Sequence, residues 1–300
     1  MGINTTEFVW MNGAFVKWED ANVHILTHAL HYGSAVFEGI HSYKTGQGAS
    51  IFRLKEHVSR LFFSANSIEM KIPFTSDQIK EAIKDLLKMN RLYDAYIRPL
   101  AYYGYGNLGV FPKEIPIGVS IIAIPWTGYY SRDLRVMTSR FVRHSEKSTV
   151  YGAKISGNYA NSILAMFEAR QQGYDEALML DSGGFVSEGP AENIFIVKGG
   201  KLITPKSMSA LPGITRDSII KLGSDIGIKS IEKKVRLEEV KNADELFFCG
   251  TATEVAPIIS VDDVKIGSGK IGRVTSKIKN KYLDVVRGKD EKYRKWLDYV

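Results

Sequence analysis

The sequence predicts an α+β chain of two domains, and three observations predict it. Short runs rich in aromatic and β-branched residues recur along the chain, with helices interspersed rather than alternating regularly. That pattern favours a compact sheet or pseudo-barrel over a doubly wound sheet. Between the halves lies Pro125-Trp-Thr-Gly-Tyr-Tyr-Ser-Arg132, which combines Pro, Gly and Ser between two strand-like runs. The expected division is a small, sandwich-like N-terminal domain at 1–125, a linker at 126–133 and a larger pseudo-barrel domain at 134–300.

The elements follow in order. Residues 8–10 and 14–17 read as strands joined by a tight turn at Asn12-Gly13, with the first of them buried. Leu54, Val58, Leu61, Phe62, Ala65 and Ile68 mark one face of a helix. Thr75 and Gln78 stand at capping-box spacing before a second helix carrying Ile79, Ile83, Leu86 and Leu87. Strands are expected at 95–103, 119–125 and 134–138. A helix through Ile163, Leu164 and Phe167 ends near Gly173. Asp181-Ser-Gly-Gly184 and Lys198-Gly-Gly200 each sit between two strand-like runs and signal hairpins, and residues 215–225 read as helical.

Composition excludes several classes. The chain of 300 residues is 44% hydrophobic and 24% charged, which is ordinary for a globular protein. One Cys, Cys249, rules out an intrachain disulfide; it follows Leu246-Phe-Phe248 and reads as a core residue in a reducing cytoplasm. No apolar stretch reaches the roughly 20 residues of a membrane helix, and no signal peptide is visible. The net charge of +7 raises a nucleic-acid reading, carried by Lys265, Lys270, Arg273, Lys277, Lys279 and Lys281. Ile271, Val274, Ile278 and Val285 recur there at roughly helical spacing, so the stretch reads as an amphipathic helix with a solvated basic face. No zinc spacing or nucleic-acid motif accompanies it. His24, His28 and His31 fall at i, i+4 and i+7, which would form one face only if the segment were a helix, and no metal is expected.

The chemistry centres on Lys154, in Tyr151-Gly-Ala-Lys154-Ile-Ser-Gly-Asn-Tyr159, where small residues flank one cation. Its primary amine can condense with an aldehyde. Ser187-Glu188-Gly189-Pro-Ala-Glu192-Asn193 places a carboxylate at a strand-to-loop break. Leu211-Pro-Gly-Ile-Thr-Arg216 and Gly250-Thr-Ala-Thr-Glu254 are short loops that can offer backbone N–H groups to a phosphate or carboxylate. An amine, a carboxylate and two anion cradles are what pyridoxal 5'-phosphate (PLP) requires of a protein. Each piece alone is ordinary, since most lysines are solvated and Ser-Glu before Gly is usually a turn. Their order and spacing together are uncommon.

With these residues in view, the chain closely resembles the branched-chain amino acid aminotransferases of PLP fold type IV. The resemblance runs from Trp10 to Asp298 and is strongest at His31-Tyr-Gly-Ser-Ala-Val-Phe-Glu-Gly39, Ala95-Tyr-Ile-Arg-Pro99 and the Lys154, Glu188, Arg216 and Thr251 segments. It implies that Lys154 carries PLP and moves the substrate Cα proton. It implies that Glu188, rather than Glu192, faces the pyridine nitrogen, and that Arg53, Ile214, Thr215 and Thr251 hold the phosphate. Tyr159 then bonds the phenolic oxygen. Thr251, Ala252 and Tyr96 are matched to the substrate carboxylate, and Arg98 to the side-chain carboxylate of glutamate. Tyr96 and Arg98 alternate on a strand, so both side chains share a face.

Phe37, Trp126 and Tyr129 match an apolar pocket. Tyr32 and Val110 match residues that reach a neighbouring subunit's pocket, so at least a homodimer is implied. The implied substrates are L-leucine, L-isoleucine and L-valine with 2-oxoglutarate. Ser156 and Thr253 depart from the family's small-residue pattern, which bears on substrate breadth. Two other readings stay open: a D-amino acid aminotransferase or aminodeoxychorismate lyase of the same fold type, and a non-enzymatic basic binding protein. Tyr96-Ile-Arg98 and Phe37-Glu-Gly39 favour the branched-chain reading over the first, and Lys154 with Glu188 argues against the second.

Overall fold

A computed structural model describes residues 4–126, 128 and 133–300. Tyr129, expected in the apolar pocket, and most of the expected linker lie outside the described residues. The chain forms two compact units. The first comprises Met1–Thr127, Ala153–Gly157 and Val285–Val300, and the second Gly128–Gly152 and Asn158–Asp284.

In the first unit, Asn12 and Gly13 both take positive φ (51° and 95°), the conformation a two-residue hairpin turn requires. They join the antiparallel strands Phe8–Met11 and Ala14–Lys17 at the edge of an eight-stranded sheet. Inward from that edge run Ile117–Pro125, Ala95–Tyr103, Ile40–Thr45, Gly48–Phe52 and Leu297–Tyr299. The short strand Ala35–Phe37 also pairs with Ala95–Tyr103, next to Ile40–Thr45 on the same side. Glu38 and Gly39 form the break between them, and the Glu38 N–H still donates to Pro99 O at 3.0 Å.

Two helices cover this sheet. Leu54–Asn66 buries Leu54, Val58, Leu61 and Ala65, while Ile68 lies past its end. Ser76–Met89 buries Ile79, Ile83, Leu86 and Leu87, and Thr75 with Gln78 makes both bonds of the capping box. Their apolar faces meet Ile40, Ile51, Ile97, Val119 and Ile121 of the sheet in one core.

The second unit is built on a nine-stranded sheet in the order Val186–Glu188, Glu176–Leu180, Leu134–Thr138, Glu254–Val261, Glu245–Gly250, Asn193–Lys198, Lys201–Pro205 and Ser230–Lys233, with Val264–Lys265 paired to Glu254–Val261. Leu134–Thr138 is parallel to both its neighbours, and Lys201–Pro205 is parallel to Ser230–Lys233. The sheet curls until its ends meet: the Val186 N–H donates to Val235 O at 2.8 Å. Both expected hairpins form, at Asp181–Phe185 and at Gly199-Gly200, where both glycines have positive φ. Cys249 is fully buried, and burial pushes its thiol well above the usual range. The basic stretch forms the helix Arg273–Val286, with Ile278 and Val285 buried.

His28 lies on the five-residue helix His28–Tyr32, but His24 does not. His28 bonds Ser34 Oγ and Gly109 O, and His31 bonds Ile25 O, so the imidazoles face separate partners. No helix among the described residues is long and apolar enough to cross a membrane.

Candidate active site

The lysine segment lies along the first unit's sheet. The Phe37 N–H donates to Lys154 O at 3.2 Å, and Val36 bridges Ile155. Gly157 N–H reaches Gly33 O at 3.0 Å. A Cβ at Gly33 would fall 2.6 Å from Gly157 Cα, so the small residues around Lys154 serve close backbone approach. From the helix Leu54–Asn66, Ser64 Oγ accepts the Lys154 N–H at 2.8 Å.

Side chains converge beside it. The Lys154 ammonium lies 4.7 Å from the Phe37 ring centroid, and the Arg98 guanidinium lies 4.7 Å from the same ring. Strand alternation along Ala95–Tyr103 sets Tyr96 beside Arg98, whose Nη2 donates to Tyr96 OH at 2.8 Å. Trp126 stacks obliquely on Tyr96 with centroids 5.1 Å apart. Arg98 Nε is buried with no hydrogen-bond partner, an expensive condition that an arriving carboxylate would relieve. Gly39 is needed here, because a Cβ would overlap the Tyr96 hydroxyl.

Arg53 precedes the helix Leu54–Asn66 in the left-handed conformation, φ 53°. Its N–H donates to Trp296 O, its guanidinium lies over the Trp296 ring, and its Nε bonds Glu56 at 2.7 Å. Tyr32 donates to Leu108 O at 2.6 Å and is 45% exposed, while Val110 is 76% exposed. The segment that Tyr32 bonds also exposes Leu108 and Phe111.

In the second unit, Glu188 ends its strand fully enclosed, at 3% exposure. Arg143 Nη2 meets its Oε1 at 2.8 Å, while Asn193 Nδ2 and the Leu211 N–H donate to its Oε2 at 3.2 and 3.0 Å. Three donors thus converge on one buried carboxylate. Asn193 Nδ2 also bonds Leu211 O, so one amide ties the carboxylate to the loop that follows. That loop leads to the helix Ile214–Asp225, whose N-cap, Gly213, offers no side-chain cap. Ile214 and Thr215, both buried, open its first turn, where backbone N–H groups can face an anion.

Glu192 is spent elsewhere. Its Oε2 accepts the Ala191 N–H at 3.0 Å, and its Oε1 accepts the Thr253 hydroxyl at 3.3 Å. It thereby steadies the three-residue loop holding Thr251 and Ala252, closed by the Gly250–Glu254 pair. Tyr159 begins the helix Tyr159–Gln171 and lines an apolar cavity of about 310 Å³ with Ile163, Phe167 and Pro190.

Sequence reasoning did not single out Arg143, Ser64 or the grouping of Glu38 with His57 and Arg60. Arg143 carries no local signal, since it reaches Glu188 only through the fold. Nor do the others: His57, Arg60 and Ser64 share with Arg53 a face beside the apolar one, where polar residues read as solvated.

The donor set fits PLP. The first unit supplies an amine at Lys154, and the second an enclosed carboxylate at Glu188 and a helix start at Ile214. Comparison with known proteins agrees. The family described as amino-transferase class IV matches residues 35–261. A branched-chain-amino-acid aminotransferase of Pseudomonas aeruginosa is 45% identical over 97% of both chains. The T.th. branched-chain amino acid aminotransferase, complexed with N-(5'-phosphopyridoxyl)-L-glutamate, superposes with a TM-score of 0.96 at 42% identity over 99% of both chains. The same enzyme complexed with 4-methylvaleric acid gives 0.95 at 42% identity, again over 99% of both chains. The fold is thus that of PLP fold type IV, and the chain belongs to the class IV aminotransferases, within them to the branched-chain amino acid aminotransferase family.

Proposed function

We propose that this chain catalyses the reversible transamination of L-leucine, L-isoleucine and L-valine with 2-oxoglutarate, using PLP. The observation that carries the reading is the Phe37 ring shared by Lys154 and Arg98. One apolar surface thus lies beside both a reactive amine and a guanidinium with an unspent Nε. Such a pocket suits two substrates of opposite character. Leucine's side chain packs on the ring, gaining roughly 0.8 kcal/mol per buried methylene. Glutamate's γ-carboxylate, prohibitive to bury alone, pairs with Arg98. The relatives support this duality, since one is complexed with a phosphopyridoxyl-glutamate and another with 4-methylvaleric acid, the carbon skeleton of leucine without its amine.

When bound, PLP supplies an aldehyde to receive the amino group and a ring that withdraws electrons from the substrate Cα. Lys154 Nζ is the base that takes the proton from that Cα, and in the reverse half-reaction it delivers a proton to the same carbon. Glu188 would face the pyridine nitrogen and favour its protonated form, and Asn193 and Leu211 fix the carboxylate's direction. Arg53, the backbone and hydroxyl donors of Ile214 and Thr215, and Thr251 would hold the phosphate. Tyr159 would bond the phenolic oxygen. The amides of Thr251 and Ala252, with Tyr96, take the substrate α-carboxylate. Trp126, packed on Tyr96, extends the apolar wall, and Tyr129 is assigned to the same pocket by the resemblance.

The active assembly is at least a homodimer, with Tyr32 and Val110 entering the partner's pocket. Their exposure supports this, as does that of Phe111, at 77%. Sedimentation that finds a fully active monomer would contradict it. A single buried cysteine suits a cytoplasmic protein. The deciding assay supplies 2-oxoglutarate with a panel of L- and D-amino acids. Conversion of the branched L-forms is expected, and preference for D-forms would overturn the reading.

A further inference from the structure

Glu38 sits in the break between two strands with its side chain completely buried. Arg60 grips it with two bonds, Nε to Oε1 at 2.6 Å and Nη2 to Oε2 at 2.9 Å. His57 Nδ1 meets Oε2 at 2.8 Å. Burial alone would raise the Glu38 carboxyl, but the charge and hydrogen bonds of Arg60, with the His57 bond, bring it down to about 2. Burial pushes His57 down, against the pull of Glu38, so the ring is neutral and donates. The result is one carboxylate and one guanidinium locked together inside an apolar core, which is a costly way to obtain stability alone.

Its placement shows what it secures. Glu38 is the residue after Phe37, whose N–H pairs with Lys154 O and whose ring lies under both Lys154 and Arg98. Arg60 and His57 lie on the helix that also gives Ser64 Oγ to the Lys154 N–H and carries Arg53 at its start. The spacing 53, 57, 60 and 64 keeps these groups on one helix face. A rigid helix therefore touches the lysine segment twice, directly through Ser64 and indirectly through Glu38 and Phe37.

We infer that the Glu38–Arg60–His57 cluster is a positioning device for transamination: it fixes Phe37, and through it the Lys154 amine, against the helix Leu54–Asn66. None of the three touches substrate in this scheme. The inference rests on the reading of Lys154 as the PLP lysine. It predicts a loss of turnover rather than of substrate binding, because a displacement of about 1 Å at a reacting group can cost on the order of 10²-fold in rate.

The test uses the PLP-loaded enzyme and four variants: Glu38→Gln, Arg60→Met, Arg60→Lys and the double variant Glu38→Gln/Arg60→Met. The Gln amide oxygen still accepts from His57, and the double variant leaves no buried ion without its partner. Borohydride trapping with peptide mapping reports whether PLP is on Lys154. Melting temperature reports stability, and kcat and KM for L-leucine report function. Both Glu38→Gln and Arg60→Met are expected to lower kcat by about 10²-fold with KM within a few-fold. Arg60→Lys should recover part of it, since one ammonium replaces a two-pronged grip. The double variant should regain melting temperature over the single variants but not kcat. A kcat that returns in step with melting temperature would overturn the inference and leave a structural ion pair. Trapping at another lysine in the wild type would instead overturn the functional reading.

Discussion

Replacing Arg98 by Leu should separate the two halves of the reaction. In the native site one guanidinium N–H is engaged by Tyr96 at 2.8 Å, the flat face rests on Phe37, and Nε is buried with no partner. A γ-carboxylate arriving there gains charge-assisted bonds worth about 1.5–3 kcal/mol each. Losing one such bond weakens glutamate about 10- to 150-fold, and losing a bidentate pair multiplies the penalty. The carboxylate would also be left in an apolar pocket without a counter-charge. Leucine makes none of these bonds, and the substituted side chain enlarges the apolar wall. Its half-reaction should change by no more than about three-fold, within the roughly 1 kcal/mol expected of a tolerated apolar swap. Single-turnover measurements give both numbers: L-leucine and L-glutamate with the PLP form, and 2-oxoglutarate with the aminated form. The quantity to read is the ratio of the two half-reaction efficiencies. Equal losses for leucine and glutamate would refute the assignment of Arg98 to the side-chain carboxylate, as would an unchanged glutamate rate.

Three other outcomes are expected. Lys154→Ala should abolish turnover and the absorbance band of the lysine-bound cofactor; a borohydride-reducible link persisting at another lysine would show the wrong residue was chosen. Glu188→Gln should retain PLP but lose roughly 10²–10³-fold in turnover, whereas Glu192→Gln should lose less, since Glu192 is spent on Ala191 and Thr253. The third concerns acid stability. The Glu38 carboxyl is held at about 2 in the folded protein against an ordinary 4.5, so folding is favoured by the ionised form. That stabilisation, on the order of 3 kcal/mol, is fully present above pH 4.5 and is lost as pH falls through 4.5 toward about 2. His57, also depressed by burial, acts in the same sense below pH 6.5. Urea midpoints at pH 7 and pH 3 should show the gap between wild type and Glu38→Gln shrinking by about 2 kcal/mol. A gap that stays constant would mean that Glu38 does not titrate as described.

Local chemistry was legible in the sequence wherever the partner lies a few residues away. Thr75 and Gln78 make the capping box their spacing announces, and Gly199-Gly200 and Asn12-Gly13 form the turns their conformational freedom allows. Apolar spacing located the buried faces of both helices in the first unit. Ile68 shares the spacing of the first of these faces, but the helix stops at Asn66 and Glu69 turns to φ 57° just beyond. Lys154 and Glu188 could be proposed from the sequence because amine, carboxylate and cradle stand in one order along the chain. The partners that orient them could not, because pairing across the fold leaves no mark nearby. Arg143 reads as one more arginine in a polar loop until the strand Glu176–Leu180 and its hairpin bring Glu188 to it. His57 and Arg60 lie beside the apolar face of their helix, where polar residues read as solvated, and only the fold brings Glu38, at a strand break, against them.

The last strand of the first unit's sheet, Leu297–Tyr299, is zipped to Gly48–Phe52, and Trp296 O receives the Arg53 N–H. During synthesis these segments emerge far apart in time. At roughly 5–20 residues per second, the strand follows its partner by on the order of 10–50 s. The second unit's segments lie between them and are made before the closing strand. The bend at Arg53 is therefore finished late, after nearly all of the chain has been made. A bulky fusion directly after Val300 would compete with the closing strand and with the Arg53 bend beside it. The same fusion before Phe8 would meet only an edge hairpin at the far side of the sheet.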